Sequence, residues 1–280
     1  MSTARLAVTG STGAVGGMVA RDLAGRGIAQ RLVVRDPSRA PDLPGAEVVA
    51  ATYGDGDAMR AALAGVRTLF LVSASESADR MAEHRSVVSA AADAGVEHVV
   101  YTSFLGAAAD CTFTLGRDHW ATEGLVRESG MAHTFLRDSL YLDFLPLMAG
   151  EDGVIRGPAG DGRLGAVARA DVARVGLAAL LDPDAHRDAT YDLTGPEALS
   201  FTEIAATITE VTGRETRFHD ESVEEAYTSR ASYDAPDWQL DAWVSTYTAV
   251  RAGELDVVTG DVERVTGRPP LSLRDLMTIG

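Results

Sequence analysis

Three glycines at three-residue spacing, Gly10, Gly13 and Gly16, follow directly on the apolar run Leu6, Ala7, Val8 and lead into a helical pattern. A short apolar strand, a tight glycine turn and a helix make the opening of a βαβ unit, which commits a chain to parallel strand pairing. The spacing gives each glycine a task. Gly10 permits the tight turn, Gly13 lets another group approach the backbone, and Gly16 lets the helix pack closely on the strand.

The segments that follow repeat this pattern. Strand-type runs cover residues 5–9, 31–35, 46–51, 68–72, 98–102 and 134–136, with helical patterns over 15–26, 57–64, 78–94 and 117–129. Gly27, Gly65, Gly95 and Gly130 each stand just past a helix, as C-terminal glycines do. Regular strand–helix alternation predicts an α/β fold with a Rossmann-type doubly wound parallel sheet. After Leu140 the rhythm changes. A glycine-rich loop is expected over 150–165, a helix from near Asp171, short strands over 190–193 and 215–219, and helices over 220–250 that carry Trp238 and Trp243. The expected division is a core over residues 1–150 and a small, mostly helical lobe over 151–280. That lobe interleaves with the core and caps the edge of the sheet where ligands bind in such folds.

Composition narrows the function classes. A net charge of −16 argues against nucleic acid or an anionic membrane as partner, since both need a basic surface. The single cysteine, Cys111, forms no internal disulfide and no thiolate cluster, and the six histidines show no paired metal spacing, so no metal is expected. Residues 1–5 lack a signal-type apolar segment, and no stretch reaches the roughly 18 uninterrupted apolar residues of a membrane span, so a cytoplasmic protein is expected. All 25 basic residues are arginine, which suggests a GC-rich bacterial genome and excludes any mechanism that needs a lysine.

The glycine loop points to a dinucleotide. The loop Gly10, Ser11, Thr12, Gly13, Ala14, Val15 and Gly16 places backbone N–H groups at a helix start, where they face an anion such as a pyrophosphate. About twenty residues past the last glycine, where the adenosine ribose is read, stands Arg35, followed by Asp36. An arginine makes charge-assisted bonds to the 2′-phosphate of NADP(H). Asp36 leaves NAD(H) open as well, because a carboxylate can accept from the 2′-hydroxyl. Ser73, Ala74 and Ser75, with Glu76, follow the fourth strand; Thr102, Ser103 and Phe104 follow the fifth. Topology makes both groups neighbours of the dinucleotide.

The segments TGSTGAVGG (9–17), VVRDPSR (33–39), LFLVSAS (69–75), AGVEHVVYTSFLGA (94–107) and HWATEGLVRESGMAHTFLRDSLYLDF (119–144) together resemble the NmrA-like family, a branch of atypical short-chain dehydrogenases. Within it the chain looks most like the NADPH:quinone oxidoreductase and triphenylmethane reductase group, and residues 243–276 follow that group's C-terminal pattern. Ordinary short-chain dehydrogenases pair a tyrosine with a lysine four positions later. Tyr101 is followed at that distance by Leu105, so the dyad is absent.

The resemblance implies that His119 contacts the nicotinamide ribose or donates a proton. It also runs the stretch containing Tyr141 and Phe144 beside the nicotinamide, with Tyr141 a second catalytic candidate. Their three-residue spacing predicts a shared helical face, which serves a core as readily as a site. Phe104, Tyr141, Phe144 and Trp243 are the expected substrate pocket. Asp138 replaces the asparagine common in the group, which puts in doubt any contact that needs an amide donor.

The leading expectation is an NAD(P)H-dependent oxidoreductase that passes hydride to a quinone or another flat, electron-poor aromatic molecule. A quinone accepts hydride without a strong general acid, so binding and orientation suffice. Two alternatives stay open. One is a tailoring enzyme of aromatic secondary metabolism that reduces a polycyclic quinone or promotes oxygenation of a hydroquinone or phenol. The other is a redox sensor that binds NADP(H) without turnover. A small aromatic substrate is the expected partner, and monomer and homodimer are both open.

Overall fold

The computed structural model describes residues 5–279. The glycine turn folds as its spacing dictates. β1 (Leu6–Thr9) is buried along its whole length and passes through the turn into α1 (Ala14–Gly25). Then come β2 (Gln30–Val34), β3 (Ala46–Ala50), α2 (Gly56–Ala62), β4 (Thr68–Leu71), α3 (Arg80–Asp93), β5 (His98–Phe104), α4 (Thr114–Glu128) and β6 (Ala132–Asp138). The remainder comprises β7 (Val154–Gly157), β8 (Arg163–Leu164), α5 (Arg169–Leu181), β9 (Ala189–Leu193), β10 (Leu199–Ser200), α6 (Phe201–Thr212), β11 (Arg217–Asp220), α7 (Val223–Arg230), α8 (Asp237–Arg251), α9 (Asp261–Thr266) and α10 (Leu273–Ile279).

Among the described residues, seven strands form one sheet in the order β3-β2-β1-β4-β5-β6-β9. β1 pairs in parallel with β2 on one side and β4 on the other, and the β2–β3 and β4–β5 pairs are parallel too. The chain therefore leaves β1 in one direction and returns to its other side. That reversal opens a crevice at the C-terminal ends of β1 and β4, the switch point where doubly wound sheets bind ligands.

The chain divides into two compact units. The first runs to Ser103 and adds Trp120–Arg137 and Val172–Tyr191; the second takes Phe104–His119, Asp138–Asp171 and the described chain from Asp192. The first unit's core joins strand residues Leu69, Leu71, Val99 and Tyr101 to helix residues Met59 and Val87. Its central strands read as near-continuous apolar runs because helices cover a parallel sheet. Tyr101 is fully buried, edge-on to His84 and Phe135.

The second unit's core gathers Ile155, Leu164, Phe201, Ile204 and Val250. It carries two small ribbons, β7 parallel to β11 and β8 antiparallel to β10. The expectation of a loop over 150–165 needs correction here, because β7 and β8 lie inside it. Gly153 and Gly160 turn the chain at positive φ, while three other glycines there serve close packing. A Cβ on Gly157 would run into the Tyr247 ring, one on Gly162 into the Val250 carbonyl, and one on Gly165 into the Val257 carbonyl.

Candidate active site

In the first unit a cleft of about 350 Å³ opens at the switch point. Gly10 stands in it at φ +63°, a left-handed conformation that favours glycine, and a Cβ there would meet Val72 at 2.8 Å. A Cβ on Gly16 would stand 2.5 Å from the Gly10 carbonyl oxygen and 2.6 Å from that of Thr9. Gly13 is the N-cap of α1 and contributes no side-chain cap, and the first turn carries no acidic residue. The helix start thus offers its N–H groups and its positive end of the dipole to an anion.

Thr12, Arg35, Ser73, Ala74 and Ser75 line the same cleft as Gly10 and Gly13. Ser11 lies buried in the turn; its Oγ and that of the cleft residue Ser77 find no hydrogen-bond partner among the described residues. Ala14, Val15 and Gly16 form the first turn of α1. Thr102 is buried, and its Oγ1 accepts the Ser73 N–H at 2.9 Å. Ser103 is buried too and donates to Glu123 Oε1 at 2.7 Å.

Asp36 is committed elsewhere. Its carboxylate accepts from the Ser38 N–H at 3.0 Å and the Ser38 hydroxyl at 2.7 Å, capping the short 3-10 turn Pro37–Arg39. Those two bonds hold its carboxyl below the usual range. Arg35 is left as the polar group that this segment presents to the cleft.

Three features were not foreseen from the sequence. Tyr53, also lining the cleft, brings its hydroxyl within 2.6 Å of both Thr9 Oγ1 and the Val72 carbonyl, and burial raises its phenol above the ordinary value. Thr9 Oγ1 in turn accepts the Val72 N–H at 2.9 Å. His84 and Arg80, one turn apart on α3, take the N–H and the carbonyl of Ala74. Glu123, fully buried, receives Arg137 at 2.7 and 2.8 Å, Arg127 at 3.1 Å and the Ser103 hydroxyl.

The second unit holds the remaining candidates. Phe104 and His119 are both buried, their ring centroids 6.0 Å apart, with Phe113 on Phe104 at 4.7 Å. Tyr141 donates to Asp138 Oδ2 at 2.8 Å, and the Arg169 guanidinium lies 4.8 Å over its ring. Burial raises the Asp138 carboxyl well above the usual range, against the Tyr141 hydrogen bond and the Arg169 charge that lower it, and burial beside Asp138 raises the Tyr141 phenol as well.

The expectation that Tyr141 and Phe144 share a helical face is corrected by the structure. Residue 141 is drawn into a bridge with Val167, and a tight turn closes from the Phe144 N–H to the Tyr141 carbonyl at 2.9 Å. The two side chains part company as a result. Phe144 is half exposed and joins Trp243 in lining a cavity of about 600 Å³ whose walls include Tyr233, Tyr247 and Met148. Phe104 and Tyr141 are not among that cavity's lining residues. Trp243 meets Tyr233 edge-on at 5.7 Å. Among the described residues no group of three or more His, Cys, Asp or Glu side chains is arranged to hold a metal ion. No described helix is long and apolar enough to cross a membrane.

Comparison with known proteins sets this geometry in context. The chain is 32% identical over 277 residues to quinone oxidoreductase 2 of Escherichia coli (strain K12), covering 96% of each chain. It superposes on the NADPH complex of that protein with a TM-score of 0.88, over 98% of this chain and 99% of the other. It is 35% identical over 275 residues to the (4-alkanoyl-5-oxo-2,5-dihydrofuran-3-yl)methyl phosphate reductase of Streptomyces griseus, covering 96% of this chain and 95% of the relative. The triphenylmethane reductase of Citrobacter sp., solved with NADP(H), matches with a TM-score of 0.85 at 29% identity, over 98% and 99% of the two chains. The sequence profile of the NmrA-like family covers residues 2–240. The chain belongs to the NmrA-like family.

Proposed function

We propose that the protein is an NADPH-dependent reductase that passes hydride to a quinone-like or other flat, electron-poor acceptor. The observation that carries this reading is the cleft of the first unit, whose polar groups fit a dinucleotide phosphate. Neither Gly10 nor Gly16 accepts a Cβ, the helix start is uncapped, and the Ser11 hydroxyl is buried without a partner among the described residues. The loop from Gly10 to Gly16 would hold the pyrophosphate, Arg35 the 2′-phosphate, and the segment from Ser73 to Ser75 with Thr102 and Ser103 the side of the cleft toward β5. When bound, the cofactor supplies a hydride. The three relatives compared above are a quinone oxidoreductase, a dihydrofuranone phosphate reductase and a triphenylmethane reductase.

The work left to the chain is modest. A conjugated acceptor spreads the incoming charge over its own framework, so the residues need to bind, orient and exclude water. Phe144, Trp243 and Tyr233 offer apolar faces on which a flat ring stacks. His119 and Tyr141 are the proton-bearing groups of this unit proposed for catalysis. Tyr141 stays a phenol at any working pH because burial and Asp138 both oppose its ionisation. Phe104 lies beside His119, the ring centroids 6.0 Å apart.

The test is a steady-state comparison of wild type with Trp243→Ala and Phe144→Ala. Loss of a stacking face raises KM for a naphthoquinone about tenfold, as expected for an aromatic contact of roughly 1.5 kcal/mol, with KM for NADPH little changed. An unchanged quinone KM in both variants would remove this cavity from the reading.

A further inference from the structure

The aromatic cavity of the second unit shares two of its walls, Val154 and Arg156, with a second cavity of about 300 Å³. β11 supplies the rest. In its parallel register with β7, Arg217 stands opposite Val154 and His219 opposite Arg156. Alternate residues of a strand point to the same face. Arg217, His219, Val154 and Arg156 therefore share one face of this ribbon. Phe218 and Ile155 take the other, where Phe218 stacks on Phe201 and Ile155 is fully buried.

Three basic side chains on one small face run against the character of the chain, which has 41 acidic residues against 25 arginines. Most nearby arginine charge is already answered. Arg156 is bound by Asp152 at 2.5 Å, and Arg230, at the floor of the larger cavity, by Glu221 at 2.9 Å. Glu225 is felt by His219, yet its carboxylate is engaged by the Ser222 cap of α7. Arg217 is exposed, lines the smaller cavity, and has no ion pair or side-chain hydrogen bond among the described residues. A guanidinium left uncommitted in a concave wall is a receptor for a phosphate, sulfonate or carboxylate, which it grips through two parallel N–H groups.

We propose that this basic face is an anion subsite continuous with the aromatic cavity, so that the preferred acceptor is a flat conjugated molecule bearing an acidic substituent. The ring enters the larger cavity and the anion meets Arg217, flanked by His219 and Arg156. The inference rests on the reading that the larger cavity receives the acceptor, and its test reads binding rather than turnover.

Calorimetric titration of the full chain with naphthalene sulfonate and with naphthol, neither of them a hydride acceptor, isolates the anion's contribution. The sulfonate binds the wild-type protein about tenfold more tightly, the scale of one well-placed charged hydrogen bond. That preference shrinks to within about twofold in Arg217→Gln and is only partly kept in Arg217→Lys, which retains the charge but not the paired N–H groups and checks that the strand still folds. Equal binding of the two ligands by wild type, or an undiminished preference in Arg217→Gln, would overturn the subsite. Binding of neither ligand would overturn the subsite and the cavity assignment together. Sulfonate preference without any quinone reduction would uphold the subsite and sink only the reductase reading.

Discussion

The backbone N–H of Ala74 donates to Nε2 of His84 across 2.9 Å. That bond requires Nε2 to be unprotonated, so the ring carries its proton on Nδ1 and donates to Thr122 Oγ1 at 2.6 Å. Arg80, four residues earlier on the same helix, holds the Ala74 carbonyl at 3.2 Å. One peptide of the segment that walls the first unit's cleft is thus gripped on both sides by α3.

Releasing that grip should loosen the cleft more than it slows turnover. His84→Phe leaves the Ala74 N–H without its acceptor, at a cost of about 1–3 kcal/mol. The expected result is an NADPH KM raised about tenfold with kcat changed less than about threefold, and His84→Gln recovers part of the loss. Steady-state titration of NADPH against the three proteins checks this, and an unaltered KM in His84→Phe would count against it.

Acid should unfold the protein through its buried histidines. Burial pushes His84 down to about 3 and His98 down to about 4, against an ordinary 6.5. Both folded values are lowered, so as pH falls below about 6.5 the unfolded chain takes up protons that the native chain refuses. Stability is then full above that pH and declines as the pH drops toward 4, with His84 alone contributing up to about 1.4 kcal/mol per pH unit. Urea unfolding across this window reads the slope directly. A flat profile would show that these rings are not held neutral.

Asp138 should act with the opposite sign. Its folded carboxyl is raised by burial, so the native chain keeps a proton that the unfolded chain releases above about 4. Stability from this group is present in acid and is lost as pH rises toward the folded value. Asp138→Asn removes the penalty while its amide oxygen still accepts from Tyr141. The variant is expected to exceed wild type in stability by about 1–2 kcal/mol at pH 8, read as a higher Tm, and the advantage should vanish near pH 4. A variant less stable than wild type at both pH values would contradict the assignment.

Arg35 should decide between the two nicotinamide dinucleotides, because Asp36 is committed to capping Ser38. Arg35→Ala is expected to weaken NADPH binding by about 10- to 100-fold, the scale of lost charge-assisted bonds to a phosphate. NADH binding should change less than about threefold. Fluorescence titration with each dinucleotide measures both, and equal losses would end the 2′-phosphate assignment.

Local chemistry was legible in the sequence, and convergence of distant side chains was not. The turn from Gly10 to Gly16 could be read because strand, turn and helix are contiguous and each glycine has a steric reason. Arg35 could be found by counting from that turn. Tyr53, His84 and Glu123 reach the first unit's network from separate elements, and nothing in their neighbouring residues announces it. The glycines of 150–165 misled for a related reason. The partners of Gly157, Gly162 and Gly165 are Tyr247, Val250 and Val257, far along the chain, so contact glycines looked like loop glycines. The spacing of Tyr141 and Phe144 fitted a helix until the bridge to Val167 drew residue 141 into extended pairing.

The most direct measurement is anaerobic oxidation of NADPH by the purified protein across simple, polycyclic and sulfonated quinones. The account predicts rapid oxidation with a clear preference among the quinones, fastest for flat ones that carry an acidic group. Tight NADPH binding with no oxidation by any quinone would contradict it, leaving a protein that holds the dinucleotide and does not transfer its hydride.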